Sequence, residues 1–246
     1  MNTRPPPAVR VGCAGWSIPS RHAHLFGEGE SHLARYATRF DVVEINSTFH
    51  RPHERRTFER WAASVPAGFR FSAKLPKWIT HEARLQGSGD ALTAFLGSVA
   101  GLGAKLGGVL VQLPPSLAFD ARLADRFFAM LRRRCAVRIA CEPRHASWFT
   151  DEADDLLARL RVARVAADPA RCEGAGDPGG WRGLSYWRLH GSPVMYRSSY
   201  ADRIAGYAAA LRAEREAGHD TWCVFDNTAS SAATKDALAL RDALSA

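Results

Sequence analysis

Residues Gly108–Cys141 read GVLVQLPPSLAFDARLADRFFAMLRRRCAVRIAC, and their periodicity decides the fold. Gly108–Leu113 is an apolar run of strand length that stops at Pro114 and Pro115. Asp120 is a helix N-cap, and Leu123, Phe127, Met130 and Leu131 follow at i, i+4, i+7 and i+8, one face of a helix. Arg132, Arg133 and Arg134 suit the negative C-terminal end of that helix. Val137–Cys141 then returns as a second apolar run. Strand, amphipathic helix and strand in this order make a βαβ unit with parallel strands.

The alternation continues in both directions. Upstream, Val9–Gly15 precedes a helix capped by Ser31 with Leu33, Tyr36, Ala37 and Phe40 on one face. Val42–Ile45 precedes a helix bearing Phe58, Trp61, Ala62 and Val65, and Phe69–Ala73 precedes one bearing Leu92, Phe95, Leu96 and Val99. Downstream, a helix starting near Thr150 has an acidic first turn, Asp151, Glu152 and Asp154, favourable at the positive end of the helix dipole. Arg164–Ala167 is the sixth strand, followed by a long Gly- and Pro-rich loop to Gly183. Ser185–His190 leads to a helix over Tyr200–Ala217, and Thr221–Phe225 to a last helix ending at Leu244. Eight strands, mostly followed by helices, predict a single α/β domain over 1–246, a TIM-type (β/α)8 barrel.

Composition agrees. The chain has 246 residues with 46% hydrophobic and 24% charged, which excludes intrinsic disorder. Five scattered cysteines without a C-x-x-C pair exclude a disulfide scaffold and read as reduced. No apolar run reaches the roughly 18 residues of a membrane span, and Met1–Val11 lacks the apolar core of a signal segment. A cytoplasmic protein without a membrane partner is expected. The formal net charge is +8, with 29 arginines among the 33 basic residues of an Ala-rich chain. Compositional bias and a functional basic surface explain it equally well. Nothing in the sequence sets an oligomeric state.

In such a barrel the C-terminal strand ends carry the site. There the sequence places Trp16, Glu44 and Asn46, Lys74, Gln112, Glu142 and Arg144, Asp168, Arg188 and His190, and Asp226 with Asn227. Burying such groups unpartnered costs on the order of 2–7 kcal/mol each, so a mutually paired polar cluster is expected. Side chains at i and i+2 share a face of a strand, so Glu44 with Asn46, and Arg188 with His190, point together.

Seven segments, in order, carry a family resemblance: GCAGW at Gly12–Trp16, EINSTF at Glu44–Phe49, FRFSAK at Phe69–Lys74 with Thr80 and His81, VQLPP at Val111–Pro115, EPRH at Glu142–His145 with Ser147 and Trp148, RLHG at Arg188–Gly191, and DNT at Asp226–Thr228. The chain resembles the YecE-like family, the domain of unknown function DUF72, over nearly its whole length. His50 stands where the family pattern leads one to expect Tyr. The resemblance implies a TIM-type barrel and, by analogy with barrel endonucleases, points toward nucleic-acid or phosphate chemistry. His81, Trp148, Gly191 and Thr228 join the expected ligand-binding set.

Several chemistries fit these residues. Glu44, Glu142, His190 and Asp226 could hold a divalent metal, but Lys74, Arg144 and Arg188 can neutralise the carboxylates as ion pairs, so no cofactor is expected. Gly191, Ser192 and the small residues Asn227–Ser231 would free backbone N–H groups for a phosphate-bearing or other anionic ligand. The leading expectation is an enzyme acting on a phosphate-containing substrate, with Glu142 or Glu44 as base, His190 as acid, and Lys74, Arg144 and Arg188 stabilising negative charge. One alternative is a Schiff-base lyase or isomerase using Lys74, against which stands an ordinary Lys74–Glu44 ion pair. Another is a noncatalytic binder of nucleic acid or small anions, drawn from basic residues interleaved with Trp78, Trp148, Tyr196 and Tyr200. No G-x-G-x-x-G, P-loop or nucleophile-elbow motif occurs.

Overall fold

In the computed structural model, residues 8–245 are described. Most of the N-terminal stretch on which the signal-segment expectation rests, residues 1–7, lies outside them. The strands are β1 (Val9–Ala14), β2 (Val42–Ile45), β3 (Arg70–Lys74), β4 (Leu106–Gln112), β5 (Arg138–Glu142), β6 (Val162–Arg164), β7 (Ala166–Asp168), β8 (Gly179–Gly180), β9 (Leu184–Leu189) and β10 (Asp220–Phe225). They form one sheet in the order β7-β9-β10-β1-β2-β3-β4-β5-β6-β8, and all neighbours are parallel except β6 and β8.

The barrel closes through β6 and β7, which together are its sixth stave. β6 pairs with β5 and β7 pairs with β9, and at the break between them the Val165 N–H donates to the Cys141 carbonyl at 2.8 Å. The expected strand Arg164–Ala167 is thus longer, Val162–Asp168, and divided in the middle. No regular helix follows it, and the loop instead returns as β8 along β6. Gly180 has φ +59°, and a Cβ there would lie 2.7 Å from the Val162 carbonyl oxygen, so only glycine fits this approach.

Helices α1 (His32–Tyr36), α2 (Arg55–Ala63), α3 (Gly89–Val99), α4 (Ala121–Arg134), α5 (Asp151–Arg159), α6 (Ile204–Glu216) and α7 (Ala232–Ser245) pack outside the barrel. The two expected caps form, Ser31 and Asp120 accepting the N–H of Ala34 and Leu123 at 3.1 and 2.9 Å, and Thr150 caps the helix expected to start near it, accepting the N–H of Ala153 at 3.4 Å. Arg132 caps the far end of the barrel, donating to the carbonyls of Val137 and Leu160 at 2.8 and 3.3 Å. The expected Tyr200–Ala217 helix begins with a 3-10 turn, Ala201–Arg203, and is α-helical from Ile204.

Alternation along the strands builds two cores. Outward residues such as Val43, Ile45, Phe71, Val111, Ile139 and Leu189 meet the helices. Inward residues Val42, Leu110, Ala140, Ala163, Leu184, Tyr186, Trp222 and Val224 fill the barrel in a separate cluster. Trp222 closes the floor so tightly that a Cβ on Gly107 would lie 2.6 Å from its ring. The next inward positions toward the mouth are Glu44, Lys74, Gln112, Glu142, Arg188 and Asp226, all buried. The apolar filling thus ends under a polar layer, where water is replaced by ionic partners.

Candidate active site at the barrel mouth

Arg188, fully buried, is the centre of that layer. Its Nε and Nη2 donate to both oxygens of Glu44, at 3.1 and 2.7 Å, a bidentate pair. Nη2 also reaches Asp226 Oδ2 at 3.0 Å, and Nη1 donates to Glu142 Oε2. Three carboxylates from β2, β5 and the end of β10 therefore converge on one guanidinium from β9. Tyr186, two residues before Arg188 on the same face, donates its hydroxyl to Glu44 at 2.9 Å. Sequence reasoning missed Tyr186, although the i, i+2 rule that paired Arg188 with His190 reaches it too.

His190 bridges Asp226 Oδ2 through Nδ1 and Glu142 Oε1 through Nε2, both at 3.0 Å. Each carboxylate oxygen is an acceptor, so the arrangement favours the ring with a proton on both nitrogens. Burial alone would lower its pKa; the Glu142 carboxylate and the hydrogen bond to Asp226 reverse this and raise it. Burial likewise pushes Glu142 up, and the Arg188, His190 and Arg144 cations hold it well below the usual carboxylate range. Asp226 is depressed in the same way, chiefly by Arg188 against the effect of burial.

Glu142 also accepts from Gln112 Nε2 and Arg144 Nε, each at 3.0 Å. A carboxylate with four donors and a depressed pKa is a poor proton acceptor, and Glu44, held by Arg188 and Tyr186, is no freer. The expectation that either serves as general base does not fit this arrangement. The centre of the carboxylates is filled by Arg188, and among the described residues no group of three or more His, Cys, Asp or Glu is placed to hold a metal ion.

Lys74 departs most from expectation. Its ammonium makes no hydrogen bond or ion pair among the described residues, although its carbonyl accepts from Thr48 Oγ1 at 2.7 Å, and the expected Lys74–Glu44 pair is absent. The register explains this: Glu44 lies opposite Ser72, so Lys74 stands one inward position nearer the mouth. Its ammonium sits 4.2 Å from the centroid of Phe49 and the residue is only 7% exposed. Burial, then the Arg188 charge, lower its pKa to about 8, against the pull of Glu44 and Glu142. His81, on a π-turn at Trp78–Glu82, meets the same Phe49 ring edge-on at 5.0 Å. Thr80 Oγ1 lies 3.4 Å from the Pro76 carbonyl and 2.8 Å from His81 Nδ1. With the Thr80 hydroxyl donating to the carbonyl and accepting from Nδ1–H, Nε2 is the basic nitrogen of the ring. Burial and the Lys74 and Arg144 charges lower the His81 pKa, so the ring is neutral at pH 7.

Other expected site residues divide. Asn46 joins the cluster, donating to Asp226 Oδ1 at 3.3 Å while its own Oδ1 is buried without a partner. Arg144 Nη2 lies 3.0 Å from Glu142 Oε1 but off the hydrogen-bond direction, and it too is buried without a hydrogen bond. Trp148 is different. Its ring is enclosed against Phe119, and its N–H donates to the Leu117 carbonyl at 2.9 Å, so it props the loop instead of meeting a ligand.

Part of the expected amide cradle is committed elsewhere. Gly191 N–H donates to Tyr200 Oη at 2.8 Å, and Ala229, Ser231 and Ala233 donate to carbonyls of Tyr196, Thr228 and Asn227. Asn227 ties its loop to Ser198 and Asp236 at 2.9 and 2.7 Å. Thr228 is exposed beside it. Trp16 is half-buried and stands edge-to-face on Trp61, with ring centroids 4.9 Å apart.

Known proteins share this arrangement of chain. A crystallised DUF72 family protein of Enterococcus faecalis V583 superposes with a TM-score of 0.82 at 21% identity, over 97% of this chain and 96% of that one. One from Thermotoga maritima MSB8 superposes at 0.79 with 22% identity, over 97% and 99%. The UPF0759 protein YecE of Escherichia coli K12 is 32% identical over 106 residues, which are 43% of this chain and 38% of that protein's length. The family model described as "Protein of unknown function DUF72" matches residues 10–246, and the chain therefore belongs to the DUF72, or YecE-like, family.

Proposed function

We propose that the barrel mouth is the active site of a lyase or isomerase that forms a Schiff base between Lys74 and a small anionic carbonyl compound. One observation carries this: Lys74 is a buried cation of the mouth that no carboxylate holds among the described residues, in a place that lowers its pKa to about 8. An amine so placed is deprotonated in a useful fraction near neutral pH and attacks carbonyl carbon. The nitrogen bonds to that carbon, and the carbonyl oxygen leaves as water with two of the three ammonium hydrogens, so the positive charge stays on the iminium. His81 Nε2 would accept the first proton, and a protonated His190 in the polar layer would be a proton store. Arg144 Nη2, ion-paired with Glu142 but without a hydrogen bond, supports a carboxylate or phosphate on the substrate. Five free cysteines, four of them buried, support a reducing, cytoplasmic setting, and no helix among the described residues is long and apolar enough to cross a membrane.

Borohydride reduction in the presence of pyruvate, dihydroxyacetone phosphate or glyceraldehyde 3-phosphate tests the reading. A mass increment on the peptide carrying Lys74 is expected with at least one of them. An unmodified Lys74 with all three, at pH 7 and at pH 8.5, sinks it.

A second reading, binding of phosphodiesters or nucleic acid, is favoured by the exposed large side chains. Trp78 is 48%, Val194 53% and Tyr196 37% exposed, all on loops at the mouth end. If single-stranded nucleic acid binds there, log K should fall with log salt by about 0.7 per phosphate contacted. Binding whose strength is flat between low and moderate salt counts against it.

A further inference from the structure

Beside the mouth lies an open cleft of about 380 Å³ that the Lys74 chemistry does not use. Its volume is within the roughly 300–1,000 Å³ of small-ligand sites. Trp16, on the loop after β1, and Trp61, on α2, form one wall, with ring planes at 74°. Asn46, Ser47, Arg51 and His53, from the segment after β2, complete the lining. Ser47 Oγ and His53 Nε2 are 2.8 Å apart, and the His53 ring packs edge-on to Trp61 at 5.2 Å. Burial lowers the His53 pKa, so the ring stays neutral.

We infer that this cleft is a subsite for the ring of a carbohydrate. Perpendicular indoles make a corner, not the parallel slot that would sandwich a planar base. A corner offers one electron-rich face to the C–H bonds on one side of a sugar ring. The rest of the lining is polar in both senses. Asn46 is oriented by its bond to Asp226, since the flipped amide would set oxygen against oxygen, and this leaves Oδ1 as a buried acceptor with no donor. Such an acceptor costs free energy unless a donor reaches it, and a sugar hydroxyl is one. Ser47 and neutral His53 donate and accept, and Arg51 donates at the rim. The 3-10 turn Ser47–Phe49 carries Ser47 into this cleft and Phe49 under the Lys74 ammonium, so a ring held here lies next to the mouth. The inference stands without the Schiff-base reading, because it concerns binding at different side chains.

Methyl α-D-glucopyranoside, methyl β-D-xylopyranoside and methyl β-D-ribofuranoside have no free carbonyl and cannot react with Lys74. Titrated into the full chain, at least one should saturate a change in tryptophan emission. Trp61→Leu should weaken that binding about tenfold, or about 1.4 kcal/mol, and Ser47→Ala should weaken it severalfold with an unchanged melting curve. Three outcomes overturn the inference: no response to any glycoside up to about 100 mM, far beyond the 1 mM that corresponds to about 4 kcal/mol; a response to adenosine alone; or binding that neither variant weakens.

Discussion

Arg188→Met should lower the unfolding free energy by about 3–5 kcal/mol at pH 7, the cost of stranding buried charge after one partner of an ion pair is removed. The case is more severe than an isolated pair, because Glu44, Glu142 and Asp226 all lose the same cation. In the native chain Glu142 and Asp226 titrate below their ordinary range, so they stabilise the fold at neutral pH and lose that contribution as pH falls through their folded pKa. In the variant their pKa values should rise. The deficit should therefore shrink toward pH 4, where the carboxylates can be neutral. Urea unfolding at pH 7 and pH 4 checks this; a deficit that is small at pH 7, or that widens in acid, is incompatible with a guanidinium-centred cluster.

Lys74→Met should do the opposite. A lysine that titrates near 8 when folded and near 10.5 when unfolded destabilises the fold below pH 8, and that penalty vanishes as pH rises toward 10.5. The difference corresponds to at most about 3 kcal/mol. Methionine keeps the stem against Phe49 without the charge, so the variant should be more stable at pH 7 and indistinguishable near pH 10.5. It should also yield no borohydride adduct. Gain of stability with loss of reaction is the mark of a site where function opposes folding. A Lys74→Met chain less stable than the parent at pH 7 would show that the ammonium has a partner in solution.

Much of this was legible in the residues, and the failures have physical causes. Short apolar runs exposed the strands, and the i, i+2 rule the pairing of neighbours along one strand, as with Arg188 and His190. It says nothing of register between strands, and one inward step separates the expected Lys74–Glu44 pair from the observed Arg188–Glu44 pair. The contacts of Gly191, Asn227 and Trp148 are not legible because their partners, Tyr200, Ser198 with Asp236, and Leu117, come from other segments. The π-turn that sets His81 beside Phe49 widens a helical turn by one residue, which hydrophobic periodicity does not resolve. The divided sixth strand hid for a similar reason, since two three-residue pieces are too short to show a period.

That division has a consequence for association. A closed barrel offers no strand edge to another chain, but here closure rests on three paired positions at β5 and three at β9, with β8 shielding β6. Should Val162–Asp168 peel away, β9 would present Leu184–Leu189, a six-residue edge rich in apolar side chains, to any neighbouring copy. The seam that completes the fold is also the place where aggregation would begin.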